Sequence, residues 1–213
     1  MTIDRRIWDI SQALRPDLPV WPGDTPFAVG RRWTQGGGSP VTVSYFSTTV
    51  HAGAHADAPL HYSAEGPSAG EVPLSAYLGP CRLIDARAER GSISPAFVTH
   101  TLVDPPPRVL FRTYERFPIW EWRNDFTTIE AGAIRALAAL GVRLVGIDSP
   151  SLDPQDSKTM DAHRAVLAAD MRVLEGLVLD DVPPGDYELI ALPLKLVELD
   201  ASPVRAVLRE LPR

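Results

Sequence analysis

The run VHAGAHADAPLHY, from Val50 to Tyr62, gathers three of the chain's five histidines and one aspartate within eleven positions. Two imidazoles and a carboxylate form a ligand set suited to zinc, manganese or iron(II), with positions left for water or substrate, and an open site points to catalysis. The backbone path decides whether the three side chains can meet. On a helix His51 and His55 would share a face while Asp57 pointed elsewhere; on an extended path with a period of two, His51, His55 and Asp57 all project to one side. The spacing therefore predicts a strand or strand-like loop. Gly53 permits it to bend, and Pro59 restricts the path after Asp57 while remaining compatible with the first turn of a helix. His61 falls just past that bend, near the cluster. Asp57 has two oxygens and is able to bridge a second cation, provided that further ligands arrive from elsewhere. The remaining histidines are His100, read as an ordinary surface or hydrogen-bonded residue, and His163, in TMDAHRAVLAAD.

The elements that must position these residues are read from the apolar pattern. VTVSYFSTTV, Val41 to Val50, is rich in β-branched and aromatic residues and predicts a strand leading straight into the histidine run. IWDIS, Ile7 to Ser11, reads as a short strand, followed by a long loop in which Pro16, Pro19, Pro22 and Pro26 stand too close together for a helix. CRLIDAR, RVLFRT, VRLVGID and YELIALPLKLVEL have strand length, and their near-continuous apolar runs predict burial on both faces. Helices are predicted over Thr127 to Gly141, with apolar Ile134, Leu137 and Leu140, and over Met160 to Asp170, with Val166, Leu167 and the following Met171 as the apolar face. SPVRAVLREL near the end is a third helical candidate.

Composition bounds the function. With 213 residues, 45% of them apolar, the chain is expected to form one compact domain over 1–213. A formal charge of -6, without a basic block, argues against an extended nucleic-acid surface. MTIDRRIWDI lacks the apolar core of a secretory signal and no stretch approaches the roughly 20 apolar residues of a membrane span, so a cytoplasmic protein without a membrane partner is expected. The lone Cys81 reads as a small core residue. Neither a GxSxG elbow nor a Walker loop occurs, so a serine-hydrolase elbow and a nucleotide cofactor are not implied. Trp21, in PVWPGD, sits in a loop where so large a ring needs something to pack on, whereas Trp120 and Trp122, in FPIWEW, read as packing or interface residues.

HAGAHADAPLH resembles the HxGTHxDxPxH signature of cyclase-type metal-dependent hydrolases, and within them the bacterial kynurenine formamidase branch, with Ala54 where many members carry threonine. PVWPGDTPF, GIDSPSLDPQDSKTMDAH and LPLKLVELDASPVRAVL extend the resemblance over most of the chain. It implies an α/β fold, a swivelling β/β/α single domain, usually in a homodimer or higher oligomer. It also implies two divalent metal ions per subunit, zinc first, with manganese or iron(II) as alternatives. His51, His55 and Asp57 would bind one ion, and Asp57 would bridge to a second held by His163 and Glu175. By the same resemblance His61 is the proton donor and acceptor, and Trp21 contacts an aromatic formamide substrate, N-formyl-L-kynurenine, hydrolysed to L-kynurenine and formate. Two other readings stay open: a related hydrolase acting on isatin or another cyclic amide, and a metal-dependent small-molecule binder without turnover. His163 and Glu175 would lie roughly 120° apart on one ideal helix, so a helix ending near Asp170 and continuing as extended MRVLEGL is needed to join them.

Overall fold

A computed structural model describes residues 5–212; residues 1–4 and 213 of the expected domain lie outside the described residues. The strands, in chain order, are β1 (Ile7–Asp9), β2 (Ala28–Trp33), β3 (Val43–Ser47), β4 (His55–Asp57), β5 (Leu78–Asp85), β6 (Ser92–Ile93), β7 (Arg108–Arg112), β8 (Thr128–Ile129), β9 (Leu144–Ile147), β10 (Arg172–Glu175), β11 (Gly185–Ile190), β12 (Ala201–Pro203) and β13 (Val207–Glu210). The helices are α1 (Pro95–Thr101), α2 (Ala131–Ala139) and α3 (Asp161–Ala168). A nine-stranded mixed sheet runs β1-β13-β11-β5-β7-β9-β10-β4-β12, with β5, β7, β9 and β10 parallel. The helices fall in the crossovers between those parallel strands, as a parallel sheet requires.

The apolar runs of β7, β9 and β10 are buried on both faces, as their composition predicts. Val109, Phe111, Val145, Ile147 and Val173 pack with Val98, Ile134, Leu137 and Val166 of the helices. Their alternating neighbours Leu110, Leu144 and Leu174 enter a second core on the other face. That second core also contains Leu189 and Leu208 from one end of the sheet and Ala54 and Ala56 from the other, so the sheet curls until its ends share an interior. Cys81 is fully buried there, as expected. β5 and β11 present only one buried side in places; Tyr187 and Leu189 alternate with more exposed residues along β11.

Several sequence expectations are corrected. The strand expected over Val41 to Val50 is confined to Val43–Ser47, is exposed throughout, and pairs with β2 in a separate hairpin. It does not run into the histidines, because Thr49 turns away to bond the Thr25 carbonyl (3.0 Å). SPVRAVLREL is not helical: Val204, Ala206 and Leu208 are buried at every second position, and β13 pairs with both β1 and β11. The period is two, not 3.6. The α2 helix begins later than expected, because Thr128 and Ile129 pair with Ser92 and Ile93 instead of entering it, and Leu140 is exposed. In α3 the buried face consists of Ala162, His163, Ala165 and Val166, with Leu167 turned outward.

Candidate metal centre

β4 lies between β10 and β12, and its antiparallel register sets His55 directly opposite Glu175 and Asp57 opposite Val173. Directly opposed residues share a face, as do residues two apart, so His55, Asp57 and Glu175 all project where Val173 does, toward the helices. There α3 presents His163 from its buried face. The helix ends at Ala168 and the chain becomes extended at Arg172, which is the change of conformation needed to bring His163 and Glu175 together.

His51 arrives differently from the extended path predicted for it. Residues 50–54 form a turn, and Gly53 takes φ +68°, a left-handed conformation that suits glycine. The turn packs against Gly176, also left-handed at φ +64°, where an added Cβ would lie 2.6 Å from the Gly53 carbonyl oxygen. Despite this path, His51 Nδ1 reaches within 3.1 Å of Asp57 Oδ1. His55 Nε2 stands 3.4 Å from Asp57 Oδ1 and 3.4 Å from Glu175 Oε2, while His163 Nε2 stands 3.3 Å from Asp57 Oδ2 and 3.4 Å from Glu175 Oε1. His55, Asp57, His163 and Glu175 are buried. His61, on the short 3₁₀ turn after Pro59, sits at the rim, its ring centroid 4.3 Å from that of His51. His100 is exposed on α1 and takes no part.

The outer nitrogen of each buried or half-buried imidazole already has an acceptor. His51 Nε2 is 2.9 Å from Asp200 Oδ2, His55 Nδ1 2.9 Å from the Gly53 carbonyl, and His163 Nδ1 2.6 Å from Asp153 Oδ2. Carbonyl and ionised carboxylate oxygens only accept, so the N–H sits on the outer side and the inner nitrogens present lone pairs to carboxylate oxygens. Lone pairs facing lone pairs need a shared cation or a proton. His55 Nε2 and Asp57 Oδ1 are buried and have no hydrogen-bond partner among protein groups, which is the signature expected of atoms meant for a metal. Ligand atoms of His55, Asp57 and Glu175 lie within 4.8 Å of one another, as do those of His51, Asp57 and His61.

The charges point the same way. Burial disfavours a charged imidazole, but the Asp200 and Asp57 carboxylates outweigh it and lift His51 to about 9; Asp57 and Glu175 likewise lift His55 to about 10. Burial and the Asp57 charge push Glu175 upward, yet the close approach of the His163 and His55 rings prevails and holds it below its ordinary value. Two buried carboxylates thus attract positive charge strongly, and divalent cations would compete with protons for it.

Two residues in this site escaped the sequence reading. Asp153 accepts from the backbone N–H groups of Ala162 and His163 (2.9 and 3.1 Å) as well as from the His163 ring, so it secures the first turn of α3 and orients that ring together. Asp200 accepts from His51 and from His61 Nδ1 (3.1 Å). Both aspartates lie within segments that carried the family resemblance, but the role of Asp153 depends on how α3 starts, and Asp200 meets its partners across 149 and 139 positions, which no local spacing signals. Asp153→Ala is expected to weaken zinc binding by roughly 10- to 100-fold, the usual effect of losing such a partner, as read by competition with a fluorescent chelator.

A cavity of about 330 Å³ has His51, His55, His61 and Glu175 in its wall, and Trp21, Tyr114, Phe117 and Trp122 around them. Trp21 meets Trp122 edge to face, with centroids 5.3 Å apart, and Trp122 Nε1 donates to Gln155 Oε1 (2.7 Å). Trp122 therefore lines the cavity, against the expectation that it serves only packing or an interface. Trp120 is exposed, with the Arg15 guanidinium 3.4 Å from its ring centroid.

The sequence profile of the family described as Cyclase matches residues 8–154. A kynurenine formamidase from Sphingopyxis alaskensis is 56% identical over 206 residues, covering 97% of this chain and 99% of that protein. Among solved structures, one described as a predicted metal-dependent hydrolase from Bacillus stearothermophilus superposes with a TM-score of 0.85 at 30% identity, covering 98% of this chain and 100% of that one. Isatin hydrolase A from Labrenzia aggregata superposes with a TM-score of 0.83 at 26% identity, covering 98% of this chain and 94% of that one.

Proposed function

The chain belongs to the cyclase family of metal-dependent hydrolases, and from that premise we propose that it is a formamidase hydrolysing N-formyl-L-kynurenine to L-kynurenine and formate. The near-full-length identity with a kynurenine formamidase carries this reading. His51, His55 and Asp57 would hold one divalent ion, and Asp57, His163 and Glu175 a second, with zinc assigned first and manganese or iron(II) sharing the same ligand chemistry. Such ions, when bound, lower the pKa of water and polarise a carbonyl.

The protein's own groups do the rest. Trp21 and Trp122 offer aromatic edges and faces for the aryl ring, which orients the formamide toward the histidines in the same cavity. As water oxygen adds to the formyl carbon, His61 takes up a proton, and it returns that proton to the anilide nitrogen while the carbon–nitrogen bond breaks. Amine and formate leave, the second proton of the water passes to solvent, and His61 is restored. Trp122→Ala is expected to raise KM for the aryl formamide by up to about tenfold while disturbing kcat less, since an aromatic pair contributes about 0.5–1.5 kcal/mol.

We further assign a homodimer. The β2–β3 hairpin exposes Val29, Trp33, Val43, Tyr45 and Phe46, an apolar group that a second copy would cover. A cytoplasmic setting accords with a chain whose single cysteine is buried and unpaired, and among the described residues no helix is long and apolar enough to cross a membrane. The deciding measurement compares formate release from N-formyl-L-kynurenine with ring opening of isatin, using metal-stripped protein as control. Formate release restored by zinc is expected; its absence from metal-loaded protein rejects the substrate.

A further inference from the structure

Asp200 precedes β12 and belongs to no part of the cavity wall, although both histidines it touches do. Its backbone carbonyl accepts from Ala58 N (2.9 Å), one residue past Asp57, so its position is tied to the strand that carries the buried ligands. From there a single carboxylate oxygen, Oδ2, lies 2.9 Å from His51 Nε2 and 3.1 Å from His61 Nδ1. The two rings converge on that oxygen with an interplanar angle of 48°.

Donor and acceptor chemistry then places the protons. An ionised carboxylate has no hydrogen to give, so both nitrogens facing Asp200 must carry one. For His51 this leaves the Nδ1 lone pair directed at the cluster, where Asp57 Oδ1 lies at 3.1 Å. For His61 it leaves Nε2 bare. Unbound imidazole side chains in water prefer the hydrogen on Nε2, so His61 is held in the less common tautomer by this one contact.

We propose that Asp200 is a positioning residue that fixes the tautomers of His51 and His61 together, turning the bare Nε2 of His61 into the nitrogen that accepts the proton from water. The inference rests on the reading of His61 as proton carrier. Asp200 touches no substrate; it acts through the two rings. A shared acceptor also links them physically, so a ring flip of His61 would sacrifice its hydrogen bond and leave Asp200 with His51 alone.

The test uses zinc-loaded protein and Asp200→Ala, with Asp200→Asn carrying the same readouts should the alanine variant fail to fold. Nitrogen NMR of 15N-histidine-labelled protein distinguishes bare from protonated ring nitrogens without reference to activity. The wild-type protein is expected to show His61 with a bare Nε2 and a protonated Nδ1, and the variant to show the hydrogen moved to Nε2. With it, kcat at saturating zinc should fall by roughly 10²- to 10⁴-fold, as when the carboxylate orienting a catalytic histidine is lost, while KM changes little and zinc affinity weakens by roughly 10- to 100-fold through His51. An unaltered His61 signature, or a loss of kcat that saturating zinc restores, would overturn the proposal. Failure of the wider reading looks different: wild-type protein that releases no formate, or His61→Ala with full turnover, rejects the reaction or the proton carrier, whereas the wild-type tautomer remains readable by NMR.

Discussion

Asp57→Asn is expected to cost the centre its cations and almost all its turnover. Asp57 is the residue on which the three buried or half-buried imidazoles converge: His51 and His55 approach Oδ1 and His163 approaches Oδ2. Asparagine keeps the shape but removes the charge, and its amide nitrogen would set donor hydrogens where one pair of cation-binding lone pairs belongs. Breaking a buried charge pair by removing one partner costs about 3–5 kcal/mol, which corresponds to roughly 10²- to 10⁴-fold in cation affinity. Glu175 would then be the one carboxylate facing the inner nitrogens of His55 and His163. Metal stoichiometry by mass spectrometry, measured beside formate release, checks this. A variant that retains its full metal content and wild-type turnover would contradict the bridge proposed for Asp57.

His61→Ala should act on the other half of the chemistry. It stands at the rim, half-exposed, with no part in holding His55, His163 or Glu175 in place, so the ions are expected to stay. Turnover should fall by roughly 10²- to 10⁴-fold, equivalent to about 2.7–5.4 kcal/mol of barrier, because the arylamine leaving group would lose the proton source proposed for it. The contrast between the variants is the informative result: Asp57→Asn loses metal and rate together, His61→Ala loses rate alone. Unchanged turnover in His61→Ala would remove that histidine from the mechanism.

The two-sided burial of the strands and the shared face of His55 and Asp57 could be read from the sequence because each depends on local pattern, whereas the α/β class came with the family resemblance and His51 joins its partners by a turn, not by the extended path expected. Continuous apolar runs such as RVLF and RLVGI dictate two-sided burial, and a pair such as His55 and Asp57 shares a face wherever the chain is extended. What local pattern could not supply was the partner of each element. SPVRAVLREL carries apolar residues compatible with either period, and only pairing with β1 and β11 selects the strand. The turn that carries His51 was hidden because the β-branched segment before it ends early, at Ser47, in a hairpin of its own. Asp200 and Trp122 belong to the site through tertiary contacts with residues far away in the chain, which local spacing does not signal, although Asp200 stands in the segment LPLKLVELDASPVRAVL that carried the family resemblance.

The antiparallel register that sets His55 against Glu175 joins positions separated by 120 residues, 175 less 55. A nascent chain that has made only its first half holds His51, His55 and Asp57 and lacks the opposing glutamate and His163. High contact order of this kind makes for slow folding, since the entropy of closing a long loop is lost before any contact repays it. On the proposed division of ligands, the cation of Asp57, His163 and Glu175 therefore has no binding place on the early folding chain, and its binding free energy stabilises only the finished sheet. Filling of that second position is expected to come last in maturation, and the rate at which a refolding sample acquires its full complement of zinc should follow the closure of β10 on β4.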